Sequence, residues 1–97
     1  MDIDMESIRK VDHKGTIRYY NEEEQFHRDD GPTIENVDGF KFWSIDGYLH
    51  RTDGPAVESH NGDKYWYFNG IKADRKDIHL FTGKSEDLLI LKLKYGY

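Results

Sequence analysis

Apolar and polar residues alternate along short stretches of the chain, and turn residues separate these stretches. The first two stretches, Ile8 to Val11 and Thr16 to Tyr20, flank Asp12-His13-Lys14-Gly15 and carry β-branched and aromatic residues. Alternation with a period of two, bounded by turn residues, is typical of β-strands. We therefore predict a first hairpin here, preceded by a polar and acidic lead-in over residues 1–7.

Two further hairpins are predicted from Asp-Gly and Asn-Gly dipeptides. The second runs from Pro32 to Ile45 and turns at Asp38-Gly39, and the third runs from Pro55 to Phe68 and turns at Asn61-Gly62. These dipeptides favour the type I′ turn, because both of its central residues need a positive φ. We therefore predict tight chain reversals at both glycines.

The hairpins belong to an internal repeat of 23 residues. This step separates Tyr20 from Trp43 and Trp43 from Trp66, and it separates two additional predicted turns, Asp46-Gly47 and Asn69-Gly70. A short repeat cannot bury its apolar face alone and depends on its neighbours. The predicted fold is therefore mainly β, an antiparallel meander of repeated hairpins.

The first repeat departs from this pattern. Gly15 lies 24 residues before Gly39, so one residue has been inserted, and Glu22-Glu23-Glu24 stands where the other repeats have a glycine turn. We interpret this repeat as an atypical end cap.

The repeat ends after Gly70, and the C-terminal segment is predicted to cap the meander. Asp74 is expected to cap a short helix that ends at Phe81. Alternation over Leu88 to Tyr95 predicts a strand, whereas its leucine content and the preceding acidic residues favour a helix, and both remain open. The whole chain is predicted to be one domain, divided into a lead-in with the first strand (1–14), three repeats (15–72) and the cap (73–97).

Composition restricts the class of protein. The chain has 97 residues, of which 36% are apolar and 14% aromatic, so it is expected to fold around one modest core. It has no cysteine, which excludes disulfides, thiolate nucleophiles and cysteine-bound zinc. The N-terminal sequence lacks the features of a secretory signal, and no apolar run has the length of a membrane span. We expect a cytoplasmic protein.

The formal net charge of −5 restricts the partners. It opposes both non-specific binding to nucleic acid and docking on anionic lipids. We therefore expect no direct nucleic-acid partner and no membrane, but a protein partner with a basic surface.

One polar motif, His-Arg-x-Asp-Gly-Pro, occurs twice. A structural interpretation is that glycine supplies an unusual backbone angle, aspartate accepts backbone N–H groups in a tight turn, and arginine pairs with the aspartate. The alternatives are a His/Asp metal site or an acid–base pair. Because the motif recurs at equivalent positions, we predict a structural role, with no catalytic residue, metal or cofactor. The motif residues are His27, Arg28, Asp30, Gly31, Pro32, His50, Arg51, Asp53, Gly54 and Pro55.

The aromatic residues are denser than so small a core needs. Consecutive strand residues face opposite sides, so one sheet face should display aromatic rings, unless both faces are covered. Tyr and Trp are enriched at binding hot spots, and the acidic run beside them suits a basic partner. The predicted partner-binding residues are Tyr20, Glu22, Glu23, Glu24, Trp43, Tyr65, Trp66 and Tyr67.

The repeat unit resembles the MORN-type repeat, in the variant with a His-Arg-x-Asp-Gly-Pro-Ala signature found in bacterial and bacteriophage proteins. The characteristic positions hold Gly39, Trp43, Gly47, His50 and Gly54. The resemblance covers about residues 15 to 72, although the third repeat lacks the signature and the first lacks the second glycine turn.

The resemblance implies a scaffold of β-hairpins used for interactions, without intrinsic catalytic residues. It suggests a phage-encoded inhibitor that occludes a host defence or nucleic-acid-binding protein in the host cytoplasm. The alternatives are a small metal-dependent hydrolase or nuclease that uses His27, His50, Asp30 and Asp53, and a subunit of a structural assembly whose edge strands pair with another chain. Self-association is left open.

Overall fold

The computed structural model describes residues 7–96, so residues 1–6 of the predicted lead-in lie outside the described part. This part contains ten short β-strands, a 3-10 helix at Arg75–Leu80 and one α-helix. The strands are β1 (Ile8–Val11), β2 (Ile17–Tyr20), β3 (Ile34–Glu35), β4 (Lys41–Phe42), β5 (Ser44–Ile45), β6 (Tyr48–Leu49), β7 (Val57–Glu58), β8 (Lys64–Tyr65), β9 (Tyr67–Phe68) and β10 (Ile71–Lys72), and α1 is Ser85–Tyr95.

The strands form one main sheet and two small ribbons. The main sheet has the order β1-β2-β3-β4-β7-β8, and all of its neighbouring strands are antiparallel. Strands β5 and β6 form one ribbon and β9 and β10 form the other. The second and third repeats thus each contribute a hairpin to the main sheet and then a ribbon. The predicted fold, an antiparallel meander of repeated hairpins, is confirmed.

The main-sheet hairpins turn through three residues, not two. In the second hairpin the Asn36 N–H donates to the Phe40 carbonyl at 2.9 Å, and the Gly39 N–H donates back to the Asn36 carbonyl at 3.0 Å. Gly39 has a φ of 99°, whereas Asp38 is not in the left-handed region. The predicted type I′ turn at Asp38-Gly39 is therefore wrong, and the same holds at Asn61-Gly62. A three-residue loop with a left-handed last residue replaces it.

Type I′ geometry instead occurs in the ribbons. Two residues connect the strands of each ribbon, and their φ angles are 49° and 88° at Asp46-Gly47 and 50° and 81° at Asn69-Gly70. The predicted turns at these positions are confirmed. In the first repeat a three-residue turn over Glu22-Glu23-Glu24 takes their place, with Glu24 at a φ of 63°. The inserted residue therefore lies in this acidic turn.

The position of the insertion changes which aromatic residues are equivalent. The Tyr19 N–H donates to the carbonyl of Thr33 at 2.9 Å, and the Trp43 N–H donates to that of Ala56 at 2.8 Å. Thr33 and Ala56 are one repeat apart, so Tyr19 is the counterpart of Trp43. The predicted counterpart, Tyr20, is wrong by one residue, because the insertion follows both tyrosines.

The C-terminal segment caps the third repeat with helices. The short helix after Asp74 is a 3-10 helix, and the Asp74 side chain makes no capping hydrogen bond. Of the two predictions for the last segment, the helix is confirmed and the strand is wrong. Helix α1 buries Leu91 completely against Phe68, Leu80 and Phe81, which form the main apolar cluster. A strand would place Leu89, Leu91 and Leu93 on the same face. In the helix Leu91 is buried, and Leu89 and Leu93 are exposed.

A polar contact fixes the end of α1. The Tyr95 hydroxyl donates to Oδ2 of buried Asp77 at 2.6 Å and accepts the Asp74 N–H at 3.0 Å. Lys94 Nζ lies 3.2 Å from Oδ1 of the same carboxylate. Within residues 7–96, no helix has the length and apolar character needed to cross a membrane.

Candidate functional site: two arginine motifs and an acidic groove

The His-Arg-x-Asp-Gly-Pro motif of the second repeat is organised around Arg51. Its Nε donates to Oδ1 of Asp53 at 3.0 Å, and its Nη1 donates to the Pro55 carbonyl at 3.0 Å. Nη1 also lies 3.4 Å from Oε2 of Glu58. The guanidinium carbon lies 4.0 Å from the centroid of the Trp43 ring. One side chain thus joins a turn, a strand and an aromatic ring.

The first repeat reproduces this geometry around Arg28. Its Nε donates to Asp30 and its Nη1 to the Pro32 carbonyl, both at 3.0 Å. Glu35 lies 3.4 Å away, and the guanidinium carbon lies 3.9 Å from the centroid of the Tyr19 ring. The predicted arginine–aspartate pairing is present in both copies. Each aspartate accepts this side-chain N–H, and within residues 7–96 neither accepts the predicted backbone N–H groups.

Steric contact with the motif arginine explains why the motif contains a glycine. Neither Gly31 nor Gly54 has a left-handed φ, so the predicted unusual backbone angle is wrong. A Cβ atom at Gly31 would lie 2.9 Å from Cζ of Arg28, and one at Gly54 would lie 2.9 Å from Cζ of Arg51. Both distances are below normal van der Waals contact. Glycine leaves room for the guanidinium, which could move away from a larger residue only by giving up its hydrogen bonds to Asp30 or Asp53.

The motif histidines connect each motif to the ribbon beside it. Nδ1 of His27 accepts the Asp46 N–H at 3.0 Å, and Nδ1 of His50 accepts the Asn69 N–H at 2.9 Å. The His50 ring also packs edge-on against Phe68, with 4.6 Å between the ring centroids. Burial lowers the pKa of His50, because a charged imidazolium is poorly solvated there. Both histidines therefore hold turns together.

The same contacts engage one ring nitrogen of each histidine and one oxygen of each aspartate that the hydrolase alternative would use. Asp30 and Asp53 bind their own arginines, and Nδ1 of each motif histidine accepts a backbone N–H. Within residues 7–96, no group of three or more His, Asp or Glu side chains is arranged to hold a metal ion. What the motifs present outward is carboxylate charge.

A groove of about 580 Å³ lies between the two motif turns. Trp43 and Ile45 line it, together with the segments 28–32 and 50–53. Each motif arginine is paired with its own two carboxylates, as described above. The side chain of Asp29 is 70% exposed, that of Asp30 is 86% exposed and that of Asp53 is 63% exposed. The groove therefore combines the apolar side chains of Trp43 and Ile45 with two paired arginines and an acidic rim.

The acidic turn of the first repeat is connected to this groove by polar contacts. Asn21 Nδ2 donates to Oδ1 of Asp46 at 3.3 Å, and the backbone N–H of Asp46 donates to Nδ1 of His27 at 3.0 Å. Nε2 of His27 lies 3.4 Å from Oδ1 of Asp29 at the groove. Exposed carboxylates thus extend along the surface from the turn to the groove. We call this surface the acidic band, and it consists of Glu22, Glu23, Glu24, Asp46 and Asp29.

The structure does not gather all the predicted aromatic residues at this groove. Trp43 lines it, although Arg51 covers its ring, and Tyr20 stacks on Phe26 with 5.2 Å between centroids. Tyr65 and Trp66 line a separate cleft in the third repeat. Tyr67 lies half-buried in β9.

Some residues of the candidate site were not predicted from the sequence. Asp29 stands at the variable position of the His-Arg-x-Asp-Gly-Pro motif, and Asp46 was predicted only as a turn residue, so charge alone would have had to mark them as part of the site. Tyr19 was not predicted because the sequence did not show where the inserted residue lies. Once this residue is placed in the acidic turn, Tyr19 aligns with Trp43.

Comparison of the chain with protein-family models, with curated proteins and with solved structures found no match. The resemblance to MORN-type repeats therefore remains a prediction.

Proposed function

We propose that this protein is a non-enzymatic binding module, whose groove and acidic band bind a basic surface of a protein partner. The observation that carries the proposal is the groove between the two motif turns, with exposed Asp29, Asp30 and Asp53 at its rim. The chain's net charge of −5 would attract such a partner from a distance.

The lining of the groove suits a lysine or arginine side chain. Its charged end would lie at the rim beside Asp29, and its aliphatic stem would pack on Ile45 and the accessible part of Trp43. Tryptophan is among the residues most enriched where protein interfaces gain their binding energy.

Pre-organisation supports the same proposal. Arg28 and Arg51 each hold the turn that forms one wall of the groove, through the hydrogen bonds to Asp30, Pro32, Asp53 and Pro55. Side chains and turns that are already ordered lose little conformational entropy on binding. The repeated motif thereby acts in recognition indirectly, by fixing the walls.

The partner is proposed to be a nucleic-acid-binding protein. A row of carboxylates such as the acidic band offers a basic groove the same sign of charge as a phosphate backbone. The resemblance to bacteriophage proteins favours an inhibitor that occludes a host defence protein in the host cytoplasm. Neither a catalytic residue nor a cofactor is part of this proposal.

Affinity capture from host lysate, followed by mass spectrometry, tests the proposal. The baits are the wild type, a band variant (Glu23→Lys with Asp29→Lys) and a matched control (Asp63→Lys with Glu86→Lys). All four positions are exposed, and both variants change the net charge equally. We expect one basic protein to be captured stoichiometrically by the wild type and the control, lost with the band variant and displaced by added DNA or RNA. Equal capture by all three baits contradicts the proposal.

A further inference from the structure

The third repeat lacks the arginine that covers the aromatic ring in the other two. Asp74 occupies the position one repeat after Arg51. The backbone contact is retained, since the Ala73 N–H donates to the Trp66 carbonyl at 2.8 Å and the His50 N–H donates to the Trp43 carbonyl at 2.9 Å. Trp66 is therefore the counterpart of Trp43. Within residues 7–96, however, no guanidinium lies over its ring.

A cleft of about 560 Å³ lies at this position. Tyr65 and Trp66 line it, and Lys64, Lys72 and Arg75 surround them. Among residues 7–96, Asp74 supplies the one carboxylate that lines the same cleft. Three cations beside two aromatic rings form a local basic patch in a chain whose net charge is −5.

A partner's arginine does not suit this cleft. The guanidinium of Arg51 is held by acceptors that include Asp53 and Glu58, whereas the third repeat has Lys76 and Phe81 at the corresponding positions. A guanidinium bound in the third repeat would therefore lack the equivalents of Asp53 and Glu58, and it would lie close to three cations. An anion is favoured instead, and the aromatic rings favour one that carries a flat ring.

We propose that the cleft binds a nucleoside phosphate. The base stacks on Trp66, where a guanidinium stacks in the other repeats, and the phosphate pairs with Lys64, Lys72 and Arg75. Proteins use stacking on aromatic side chains to bind bases and charge-assisted hydrogen bonds from cations to bind phosphates. Repulsion by the acidic remainder of the chain favours a free nucleotide over a long nucleic acid. This site is separate from the acidic groove.

Tryptophan fluorescence tests the inference, because the chain has two tryptophans. Trp43→Phe leaves Trp66 as the only fluorophore, and Trp66→Phe leaves Trp43, whose ring Arg51 covers. We expect ADP to quench Trp43→Phe saturably and to leave Trp66→Phe nearly unchanged. Adding Arg75→Ala should raise the Kd for ADP about tenfold, the loss expected for one charge-assisted hydrogen bond. Arg9→Ala, an exposed arginine on β1, is the matched control and should leave the Kd unchanged.

Three further probes identify the ligand chemistry. Adenosine and inorganic phosphate should each bind more weakly than ADP, because each makes half of the contacts. A single-stranded oligonucleotide that binds more tightly than ADP overturns the assignment to a free nucleotide. Equal quenching of the two tryptophan variants, or none at millimolar ADP, overturns the site. Isothermal titration of the wild type and of Arg75→Ala with ADP gives the same comparison if Trp43→Phe fails to fold.

Discussion

The guanidinium carbon of Arg51 lies 4.0 Å from the centroid of the Trp43 ring, and Arg28 lies 3.9 Å from that of Tyr19 one repeat earlier. The same arginines bind the aspartate and the proline carbonyl of their own motifs. The motif is therefore a unit in which one arginine organises a turn against a neighbouring strand. Two such units form the walls of the groove.

Replacing Arg51 by lysine tests this unit. Lysine keeps the charge but cannot bind Asp53 and the Pro55 carbonyl with a rigid planar fork. We expect Arg51→Lys to lower the free energy of unfolding by about 1–3 kcal/mol, as for the loss of hydrogen bonds to a charged group. Urea denaturation measures this loss. Arg9→Lys, on the exposed edge strand, should change it by less than about 0.5 kcal/mol.

Replacing Gly54 by alanine tests the spatial explanation of the motif glycine. The new Cβ would lie 2.9 Å from Cζ of Arg51, so we expect a loss of about 1–3 kcal/mol in the free energy of unfolding. In an Arg51→Ala background the same substitution should lower the free energy of unfolding much less. A double-mutant cycle measures the difference. An equal cost in both backgrounds would show that backbone conformation, not the guanidinium, requires the glycine.

Gly62 provides the matched comparison. It has a φ of 94°, and no atom of residues 7–96 lies within 4 Å of an added Cβ. Gly62→Ala should therefore cost about 1 kcal/mol through backbone strain alone. That cost should be the same with and without Arg51.

Two leucines of α1 test the cap. Leu91 is 0% exposed and Leu93 is 73% exposed. Leu91→Ala should lower the free energy of unfolding by about 2–5 kcal/mol, because it leaves a cavity beside Phe68 and Phe81. Leu93→Ala should change it by less than about 0.5 kcal/mol. Similar losses at both positions in thermal denaturation would contradict the helical cap.

His50 predicts a dependence of stability on pH. Burial lowers its pKa, so the folded protein binds this proton less readily than the unfolded chain, in which histidine titrates near its ordinary value of about 6.5. The contribution of His50 is therefore complete above about pH 6.5 and is lost as the pH falls below that value. Protonation of Nδ1 would also remove the acceptor for the Asn69 N–H.

The measurement is urea denaturation between about pH 7.5 and pH 5. We expect the wild type to lose stability over this range and His50→Asn to lose less. Asp77 does not interfere, because the hydroxyl of Tyr95 lowers the pKa of that carboxyl, and its contribution is lost only in more acidic solution. Identical pH profiles for the wild type and His50→Asn would contradict the prediction.

The local pattern of apolar, polar and turn residues predicted much of this fold. It did not predict the features that depend on three-dimensional packing. Alternation and the glycine turns predicted the meander and both ribbon turns. They did not predict that Asp38-Gly39 belongs to a three-residue loop, because the same dipeptide suits two loop lengths. Nor could they predict the role of Gly54, which depends on where the Arg51 side chain packs. Alternation also left both helix and strand open for Leu88 to Tyr95. The sequence does not show that Leu91 is buried while Leu89 and Leu93 are exposed.

The candidate site was less predictable than the fold. The acidic turn Glu22-Glu23-Glu24 and Trp43 were identified from composition and spacing. The groove itself was not, because it arises from two motif turns that face each other across a repeat. The cleft at Trp66 is visible in the sequence only once Asp74 is aligned with Arg51.

The affinity of the captured partner for two charge variants tests the central claim most directly. Asp29→Lys reverses a charge at the groove, whereas Asp63→Lys reverses one at the turn after β7, and both residues are exposed. We expect Asp29→Lys to weaken binding at least about tenfold and Asp63→Lys to weaken it less than about twofold. Equal affinities of the two variants for the partner would contradict binding through the acidic groove.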